Sequence, residues 1–494
     1  MLPAFRQWKT TPRTLPYPMN DLATDLPLCV DLDGTLIKSD LLLESALGLL
    51  AQRPLAALQM PLWLLRGKAN LKQQIAERVQ LDVSLLPYRT DLLEYITREH
   101  QRGRTVVLAT ASHRTVAEQV AAHLGVFDRV MATENGMNLS GAGKGRRLVE
   151  EFGERGFVYA GNERKDLQVW RSAGQAILVG VAPRVQREAQ MLLPIAGTYQ
   201  SDHGTAKQYL RALRLHQWLK NFLIFLPLVA AHRLTDVTLA VNCVIAFLAF
   251  GFCASSVYLL NDLVDLEADR KHARKRLRPF ASGQASVLTG LLLIPFLLLL
   301  SFGLALALPP LFGAVLAGYF ATTVLYSLWA KRRAIFDVMF LAGLYTVRIL
   351  AGAAAIAIAP SFWILAFSMF IFLSLALVKR YGELIGLNGT GAHRASGRGY
   401  LTADLPVLQS MGAASGYMAV LVLALYINSP DISKLYQHPK LMWLSCPLLL
   451  FWISRVWLKA QRGEMHDDPI VFAVTDRVSQ LIAVFSFLVI VAAT

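Results

Sequence analysis

The second half of the chain contains apolar stretches that are each about as long as a lipid bilayer is thick. Between residues 222 and 494 these stretches follow one another with only short polar interruptions. A membrane-spanning helix needs about 20 mostly apolar residues, and on that criterion we expect nine such helices. Residues 1–215 carry an ordinary density of charge instead. The sequence therefore predicts an aqueous domain followed by an all-α bundle in a membrane.

The chain is basic, with a formal net charge of +15. In a soluble protein this excess would suggest nucleic-acid binding, but cytoplasmic loops of membrane proteins are also rich in Lys and Arg. We therefore expect no nucleic-acid partner and a multi-pass protein of the inner (cytoplasmic) membrane. The basic loops between alternate predicted helices place the first domain in the cytoplasm. The first 20 residues contain no apolar core long enough for a signal peptide, which agrees with that placement.

Carboxylates follow the first strand-like run of the aqueous domain. Residues 26–30 are apolar and are followed by Asp31, Asp33 and a turn, at the strand end where open α/β sheets place ligands. Two further strand-like runs, residues 106–112 and 157–163, also end in polar groups. After an N-terminal tail of residues 1–20, we expect a Rossmann-like parallel α/β domain over residues 21–200. A helical insertion is expected at about residues 40–100.

The D-x-D-G-T-L pattern resembles the first motif of the haloacid-dehalogenase (HAD)-like phosphatases. The resemblance implies that Asp31 is the nucleophile and Asp33 the general acid and base, with bound Mg²⁺. It also implies that the insertion is a cap that selects the substrate. We expect the cap leucines of residues 41–43 and 55–65 to form its core, and membrane contact is the alternative. A degenerate, inactive domain is the alternative, and Asn162 stands where many relatives carry Asp. The implied phosphate-binding residues are Thr110 and Lys144, and the implied metal ligands are Asp31, Asp33 and Asp166.

A cluster of acidic residues follows the second predicted membrane helix. Asp262, Asp265 and Asp269 are three and four residues apart, which places their carboxylates on one face of a helix. Acidic side chains at a membrane helix end are costly, and clustered carboxylates repel one another unless they share a cation. Oxygen ligands together with substrate phosphates favour Mg²⁺. The alternative is a mixed-charge loop that only anchors the helices.

The N-D-x-x-D-x-x-x-D pattern, which begins at Asn261, resembles the first signature of the UbiA superfamily of intramembrane prenyltransferases. The resemblance covers essentially residues 205–494 and implies a second Asp-rich motif between helices six and seven. That place reads Lys-Arg-Tyr-Gly-Glu-Leu at residues 379–384. A pocket with one acidic metal site and many cations suits two phosphorylated substrates better than an uncharged aromatic acceptor.

Residues 214–221, 275–279 and 379–384 resemble the branch of this superfamily that includes the decaprenyl-phosphate phosphoribosyltransferases. The resemblance implies transfer of 5-phosphoribose from phosphoribosyl pyrophosphate (PRPP) to a polyprenyl phosphate, with release of diphosphate. The fused phosphatase would then remove the 5-phosphate from the lipid product. It further implies one Mg²⁺ in each active site, with Asp262, Asp265 and Asp269 as catalytic metal ligands. The implied substrate-binding residues are Lys220, Asn261, Arg278, Lys331, Arg332, Lys379, Arg380, Tyr381 and Glu383.

Two other functions stay open. The first is a prenyltransferase that attaches a prenyl diphosphate chain to an aromatic or small acceptor, with the HAD-like domain as a separate or regulatory phosphatase. The second is a lipid-binding or transport protein, in which replacement of Asp262 would leave function intact. Arg348 lies inside a predicted helix, where it either faces a polar cavity or forms a structural pair. The sequence also leaves open whether copies of the chain associate into a homo-oligomer.

Overall fold

The computed structural model describes residues 25–134, 139–200, 204–388, 398–430, 432, 436–465 and 468–493. The predicted tail of residues 1–20 lies outside this part of the chain. The described residues form two compact units. The first unit comprises the described residues up to Thr205 together with Val264–Val287, and the second comprises Ala206–Leu263 and the described residues from Leu288 onward.

A parallel sheet forms the centre of the first unit, as the sequence predicts. Its strand order among the described residues is β3-β2-β1-β4-β5-β6, and Leu28 of the central strand pairs with Val106 on one side and Val158 on the other. The chain order reverses at β1, so the carboxyl end of this strand is where such a sheet places its ligand. The strands are β1 (Leu28–Val30), β2 (Val106–His113), β3 (Arg129–Thr133), β4 (Val158–Gly161), β5 (Gln175–Val179) and β6 (Ile195–Tyr199).

Helices cover the sheet and build the insertion. The insertion follows β1, and its first helix begins where the Asp40 side chain accepts a hydrogen bond from the amide of Leu43 at 3.0 Å, a typical N-cap. The helices of the first unit are α1 (Leu41–Gln52), α2 (Pro54–Ala57), α3 (Met60–Leu65), α4 (Lys68–Ala76), α5 (Thr90–Gln101), α6 (Arg114–Leu124), α7 (Ala142–Phe152), α8 (Leu167–Trp170) and α9 (Pro183–Leu192). We call α1–α4 the cap.

The cap leucines do not all form its core. Leu41 is buried, as expected, but the expectation is wrong for all five leucines of residues 55–65, which are exposed because only one side of α2 and α3 packs inward. That inward side carries Ala57 and Trp63. The opposite side, which we call the leucine face, is exposed; its members are Leu55 (81% exposed), Leu58 (75%), Leu62 (62%) and Leu65 (84%).

Long apolar helices make up the second unit. Among the described residues, seven helices are long and apolar enough to cross a membrane, so the predicted count of nine is not confirmed. The stretch near Phe225 is a 3-10 segment, Leu215–Phe225, followed by a short helix, and the last helix has only 17 residues. The helices are α10 (Ala206–Ala212), α11 (Leu226–Ala230), α12 (Val237–Val264), α14 (Val287–Ala305), α15 (Pro310–Leu328), α16 (Phe336–Ala355), α17 (Phe362–Asn388), α18 (Leu405–Ile427), α19 (Ser445–Gln461), α20 (Pro469–Thr475) and α21 (Arg477–Ala493), while α13 (Leu266–Lys271) belongs to the first unit.

The 3-10 segment packs closely against α16. A Cβ atom added to Gly352 of α16 would lie 2.0 Å from the carbonyl oxygen of Ile224, so only glycine permits this approach. The contact holds the segment that carries Lys220 and Asn221 against the centre of the helix bundle.

The acidic motif is not one continuous helix. Helix α12 ends at Val264, Asp265 lies between the two helices with φ −92° and ψ 13°, and α13 begins at Leu266. The expected single helical face is therefore interrupted at its middle carboxylate. The segment Val264–Val287, which the sequence assigns to the membrane half, packs with the phosphatase-like unit.

Candidate active sites

The first candidate site is built around Asp31, the first residue after β1. Lys144 of α7 donates a hydrogen bond from Nζ to Asp31 Oδ1 at 2.7 Å, and both side chains are buried. Burial raises the pKa of Asp31 to about 7, against the opposing charge of Lys144 and with the help of Asp166 and Asp33. The carboxylate therefore titrates near neutral pH, where a nucleophile of this kind has to be ionised.

Asp33 is held between the cap and the second strand. Its Oδ1 accepts the amide N–H of Leu41 at 2.8 Å, and its Oδ2 accepts the hydroxyl of Ser112 at 2.6 Å. Burial raises the pKa of Asp33 to about 6; Asp40 adds to the rise, and the Ser112 hydrogen bond opposes it. The amide of Ser112 also donates to Thr110 Oγ1 at 3.0 Å, so Ser112 connects the acid to the predicted phosphate-binding hydroxyl.

Asp166 is the third acidic residue of this site. Its Oδ2 accepts the amides of Asn162 and Glu163, each at 2.9 Å, and its Oδ1 accepts the Tyr159 hydroxyl at 3.0 Å. Tyr159 in turn accepts a hydrogen bond from Lys144 at 2.8 Å. Asp31, Lys144 and Asp166 therefore belong to one buried network, and the structure brings together all five residues that the sequence predicts for this site.

Ser112 and Tyr159 were not predicted as site residues. Ser112 lies at the polar end of the second strand-like run, which was the available signal. Tyr159 lies inside an apolar strand, where its hydroxyl gives no pattern in the sequence. Both act by positioning carboxylates that the sequence does identify.

The cap reaches this site through Lys72 of α4. Its Nζ donates to the carbonyl oxygen of Ala111 at 2.5 Å, and burial lowers its pKa against the attraction of Asp33. A cavity of about 20 Å³ lies here, with Leu42, Lys72 and Ser112 among its lining residues. The cap therefore contacts the strand ends of this site, through Lys72 and through the amide of Leu41 on Asp33.

The first and the last aspartate of the transferase motif are each paired with an arginine. Asp262 accepts a hydrogen bond from Arg214, and Asp269 accepts one from Arg278 at 2.5 Å. Both carboxylates are buried, whereas Asp265 and Asn261 are partly exposed. Burial raises the pKa of Asp269, while Arg278 opposes the rise.

The carboxylates of both sites are oxygen donors of the kind that Mg²⁺ prefers. In the part of the chain that the structure describes, no group of three or more Asp, Glu, His or Cys side chains is arranged to hold a metal ion. Lys144, Arg214 and Arg278 lie on the same oxygens instead. The donor chemistry therefore fits Mg²⁺ provided that these cations move to substrate phosphates.

Lys220 and Lys379 converge on a carboxylate that the sequence did not single out. Both Nζ atoms donate to Oδ2 of Asp468, at 2.7 and 2.8 Å. The hydroxyl of Tyr345 lies 3.4 Å from its Oδ1. Burial raises the pKa of Asp468, but Lys379 and Lys220 outweigh burial and hold it below its usual range. Two predicted phosphate-binding lysines therefore share one anion.

Arg380 is engaged in a different ion-pair group. It donates to the fully buried Asp337 and, at 2.7 Å, to both oxygens of Glu383. Arg398 also donates to Asp337, at 2.9 Å, and the Tyr326 hydroxyl donates to the same carboxylate at 2.8 Å. Arg380 thus joins α17 to α16 through Asp337, whereas its contact with Glu383 lies within α17.

The predicted residues of the second unit also include Tyr381, Lys331 and Arg332. Tyr381 is buried, with its ring 5.7 Å from that of Trp457 and its hydroxyl 3.4 Å from Gln409. Lys331 is partly buried and Arg332 is exposed.

Arg348 is buried among uncharged groups. Its Nε donates to Asn221 Oδ1 at 3.0 Å, and it also donates to the Leu344 carbonyl and, at 3.3 Å, to the Tyr319 hydroxyl. None of its partners within the described ranges is a carboxylate. The Nδ2 atom of Asn221 is buried and has no hydrogen-bond partner there. A charge without a counter-ion in the helix bundle is costly. Arg348 Cζ lies 5.7 Å from the Tyr345 ring centroid and Lys220 Nζ lies 5.5 Å from the same centroid, so these two cations lie close to one tyrosine.

Comparison with known proteins identifies the family of each part of the chain. The family model of the UbiA prenyltransferase family matches residues 222–477. The chain belongs to this family. The model of haloacid dehalogenase-like hydrolases matches residues 28–171, so this UbiA family member carries a HAD-type hydrolase domain ahead of its membrane part.

Relatives of this UbiA family member include proteins with and without the first domain. Uncharacterized protein y4nM of Sinorhizobium fredii is 38% identical over 462 residues, covering 92% of this chain and 89% of that protein. Nodulation protein NoeC of Azorhizobium caulinodans is 39% identical over 271 residues, 54% of this chain and 87% of that protein. Decaprenyl-phosphate phosphoribosyltransferase of Mycolicibacterium smegmatis is 30% identical over 286 residues, which cover 55% of this chain and 88% of that protein. The chain is thus a multi-pass UbiA-type transferase, and the predicted resemblance is confirmed.

Proposed function

We propose that this UbiA-type transferase moves a 5-phosphoribosyl group from PRPP to a polyprenyl phosphate and that its HAD-type domain then removes the 5-phosphate. The observation that carries the proposal is the convergence of Lys220 and Lys379 on one buried anion. Two lysines around an anion suit the binding of a phosphate group, which a polyprenyl phosphate acceptor carries. In a prenyltransferase with an uncharged aromatic acceptor, only the donor diphosphate could use them. The similarity to a decaprenyl-phosphate phosphoribosyltransferase supports the same substrate pair.

In the transfer step, Asp262, Asp265 and Asp269 are the residues that would hold Mg²⁺. The bound ion would neutralise the diphosphate leaving group. Arg214 and Arg278, which lie on these carboxylates, would turn to the phosphates of the donor.

The acceptor phosphate would displace the Asp468 carboxylate from Lys220 and Lys379. One of its oxygens forms the bond to C1 of the ribose as the bond from C1 to the diphosphate oxygen breaks. The products are the ribosylated lipid phosphate, which keeps its 5-phosphate, and diphosphate.

In the hydrolytic step, Asp31 attacks the phosphorus of the 5-phosphate while Asp33 gives its proton to the departing ribose oxygen. Water then attacks the phosphorus, Asp33 takes a proton from that water, and Asp31 and inorganic phosphate are released. The pKa of Asp33, raised to about 6 by burial, suits both proton transfers near neutral pH. Asp31, Asp33 and Asp166 would hold the Mg²⁺ of this site, and Lys144 and Thr110 would bind the phosphate.

We place both activities on the cytoplasmic side of the inner membrane, as the distribution of basic loops predicts. A lipid product that stays in the same membrane as the phosphatase is presented to it at a high local concentration.

The test is mass spectrometry of lipids after the purified full chain has been incubated with PRPP, Mg²⁺ and a polyprenyl phosphate. We expect the dephosphorylated ribosyl lipid from the wild type, the 5-phosphorylated lipid from Asp31→Asn, and neither from Asp262→Ala. Asp476→Asn is the matched control, because it removes a carboxylate that pairs with Arg455 in the second unit; it should behave as wild type.

Absence of any ribosylated lipid from the wild type would contradict the proposal. Formation of a prenylated product from a prenyl diphosphate and an aromatic acceptor would favour an ordinary prenyltransferase. Unchanged function in Asp262→Ala would favour a lipid-binding or transport protein.

A further inference from the structure

The cap presents an apolar surface that the fold does not cover. The leucine face consists of residues 55, 58, 62 and 65, which lie in α2, in the turn that follows it and in α3. Each is at least 62% exposed. Single exposed leucines are common on protein surfaces, but four on one small face mark an interaction site.

The leucine face is not a displaced part of the cap core. On the opposite side of the same helices, Ala57 and Trp63 are buried in a cluster with Leu49, Ile75 and Val79. The guanidinium of Arg78 lies 4.9 Å from the Trp63 ring centroid, and Asn70 Nδ2 donates to the Trp63 carbonyl at 3.1 Å. The two helices are therefore already packed against the rest of the cap through one side, and the leucine face is a second apolar side that stays exposed.

The charged residues of the segment that carries the leucine face are all basic. Arg53 precedes α2, Arg66 and Lys68 follow α3, and all three are exposed. Between Glu44 and Glu77 the chain contains no acidic residue. Leucines flanked by basic side chains are typical of helices that lie in the interface of a membrane with anionic lipids.

We propose that the leucine face inserts into the headgroup region of a lipid bilayer, with Arg53, Arg66 and Lys68 at the lipid phosphates. A bilayer is available to the cap, because the second unit of the same chain has helices that are long and apolar enough to span one. Since the tether keeps the cap near that surface, a small apolar area is enough for docking. The same cap carries Lys72 at the catalytic strand ends, so docking would bring the phosphatase site to substrates whose phosphate lies at the membrane surface.

The test uses the full chain in nanodiscs of phosphatidylethanolamine and phosphatidylglycerol. An environment-sensitive NBD (nitrobenzoxadiazole) fluorophore is attached to Leu58→Cys, and quenching by doxyl-labelled lipids reports contact with the bilayer. The four native cysteines are buried, which favours labelling of the new thiol. The matched control is Met191→Cys, because Met191 of α9 is an apolar residue of the same domain with 79% exposure.

We expect a blue-shifted emission that doxyl lipids quench at position 58, and a water-like emission without quenching at position 191. Equal, unquenched emission at both positions would overturn the proposal. Shielding at position 58 that depends on protein concentration and is indifferent to doxyl lipids would also overturn it, because a second copy of the chain would then cover the face.

A second measurement rests on the proposed phosphatase function. The triple variant Leu58→Ser, Leu62→Ser, Leu65→Ser should lower the ratio of lipid-linked phosphate hydrolysis to p-nitrophenyl phosphate hydrolysis by about ten-fold or more. An unchanged ratio would overturn the role of the face in substrate access. If the wild type hydrolyses neither compound, the phosphatase function fails, while the quenching result still decides whether the face meets lipid.

Discussion

Both terminal nitrogens of Arg270 donate to the two carboxylate oxygens of Glu44, at 2.7 and 2.6 Å, although the residues are 226 positions apart in the sequence. Both side chains are buried. Arg270 also donates from Nε to the carbonyl of Ala281 at 3.0 Å. The residue that follows the last aspartate of the transferase motif is therefore fixed to the first helix of the cap.

Glu44→Ala should destabilise the first unit by about 3–5 kcal/mol, because removal of one partner leaves a buried arginine without its counter-ion. The measurement is thermal or urea unfolding of the full chain in detergent. Glu267→Ala is the control, since Glu267 pairs with Lys271 on the exposed side of the same segment and such pairs are worth less than about 1 kcal/mol. Equal losses in the two variants would contradict the expectation.

Ser112→Ala should move the pH optimum of p-nitrophenyl phosphate hydrolysis upward by up to about one unit. The Ser112 hydroxyl donates to Asp33 and favours its ionised form, so its loss raises the pKa of Asp33 further. Asp33 then keeps its proton to a higher pH and remains a competent acid there. Thr97→Ala, which removes a hydroxyl that donates to the Leu93 carbonyl, should leave the profile unchanged. A downward shift in Ser112→Ala would contradict this assignment.

Asp468→Asn should tighten the binding of farnesyl phosphate by about ten-fold, because a phosphate no longer competes with a carboxylate for Lys220 and Lys379. Equilibrium binding to the full chain in nanodiscs, with farnesol as the uncharged reference, measures the effect. Asp476→Asn should bind as wild type. Weaker phosphate binding in Asp468→Asn would show that the carboxylate positions the lysines and does not compete for them.

Arg348→Met should abolish most of the transferase activity, because it removes a buried positive charge that would attract the phosphates of the substrates. Its cost in stability should be small, because it leaves no carboxylate of the described residues without a partner. Arg455→Met is the matched change, since Arg455 donates to both oxygens of Asp476 at 2.6 and 2.9 Å. It should lower the melting temperature more and leave transfer intact. The reverse ranking in the two assays would assign Arg348 a purely structural role.

The candidate carboxylates Asp31 and Asp33 could be predicted from the sequence because they directly follow the apolar run that forms β1, and those of the transferase motif could be predicted from their regular spacing in the chain. Asp468 could not, since its lysine partners are 248 and 89 residues away and only tertiary packing brings them together. The interruption at Asp265 was missed for a related reason: a spacing of three and four is compatible with one helix or with two short ones.

The apolar pattern of the sequence predicted where helices form, but it predicted poorly which of their side chains are buried. Leu41 and Leu58 are equally apolar and both lie in cap helices, yet one is buried and the other is 75% exposed. Periodicity shows that a side of a helix is apolar and does not show what that side contacts. The same limit applies near Phe225, where an apolar stretch of nearly membrane length forms a 3-10 segment and a five-residue helix.

The packing of Val264–Val287 with the first unit means that the phosphatase is not contiguous in the chain. A cut at residue 205 would leave Glu44 without Arg270, and Gly204 without the hydrogen bond that it donates to the Gln284 carbonyl at 2.8 Å. The hydrolase taken alone would therefore lack part of its own interior, and its folding depends on residues that are synthesised only after the first long membrane helix.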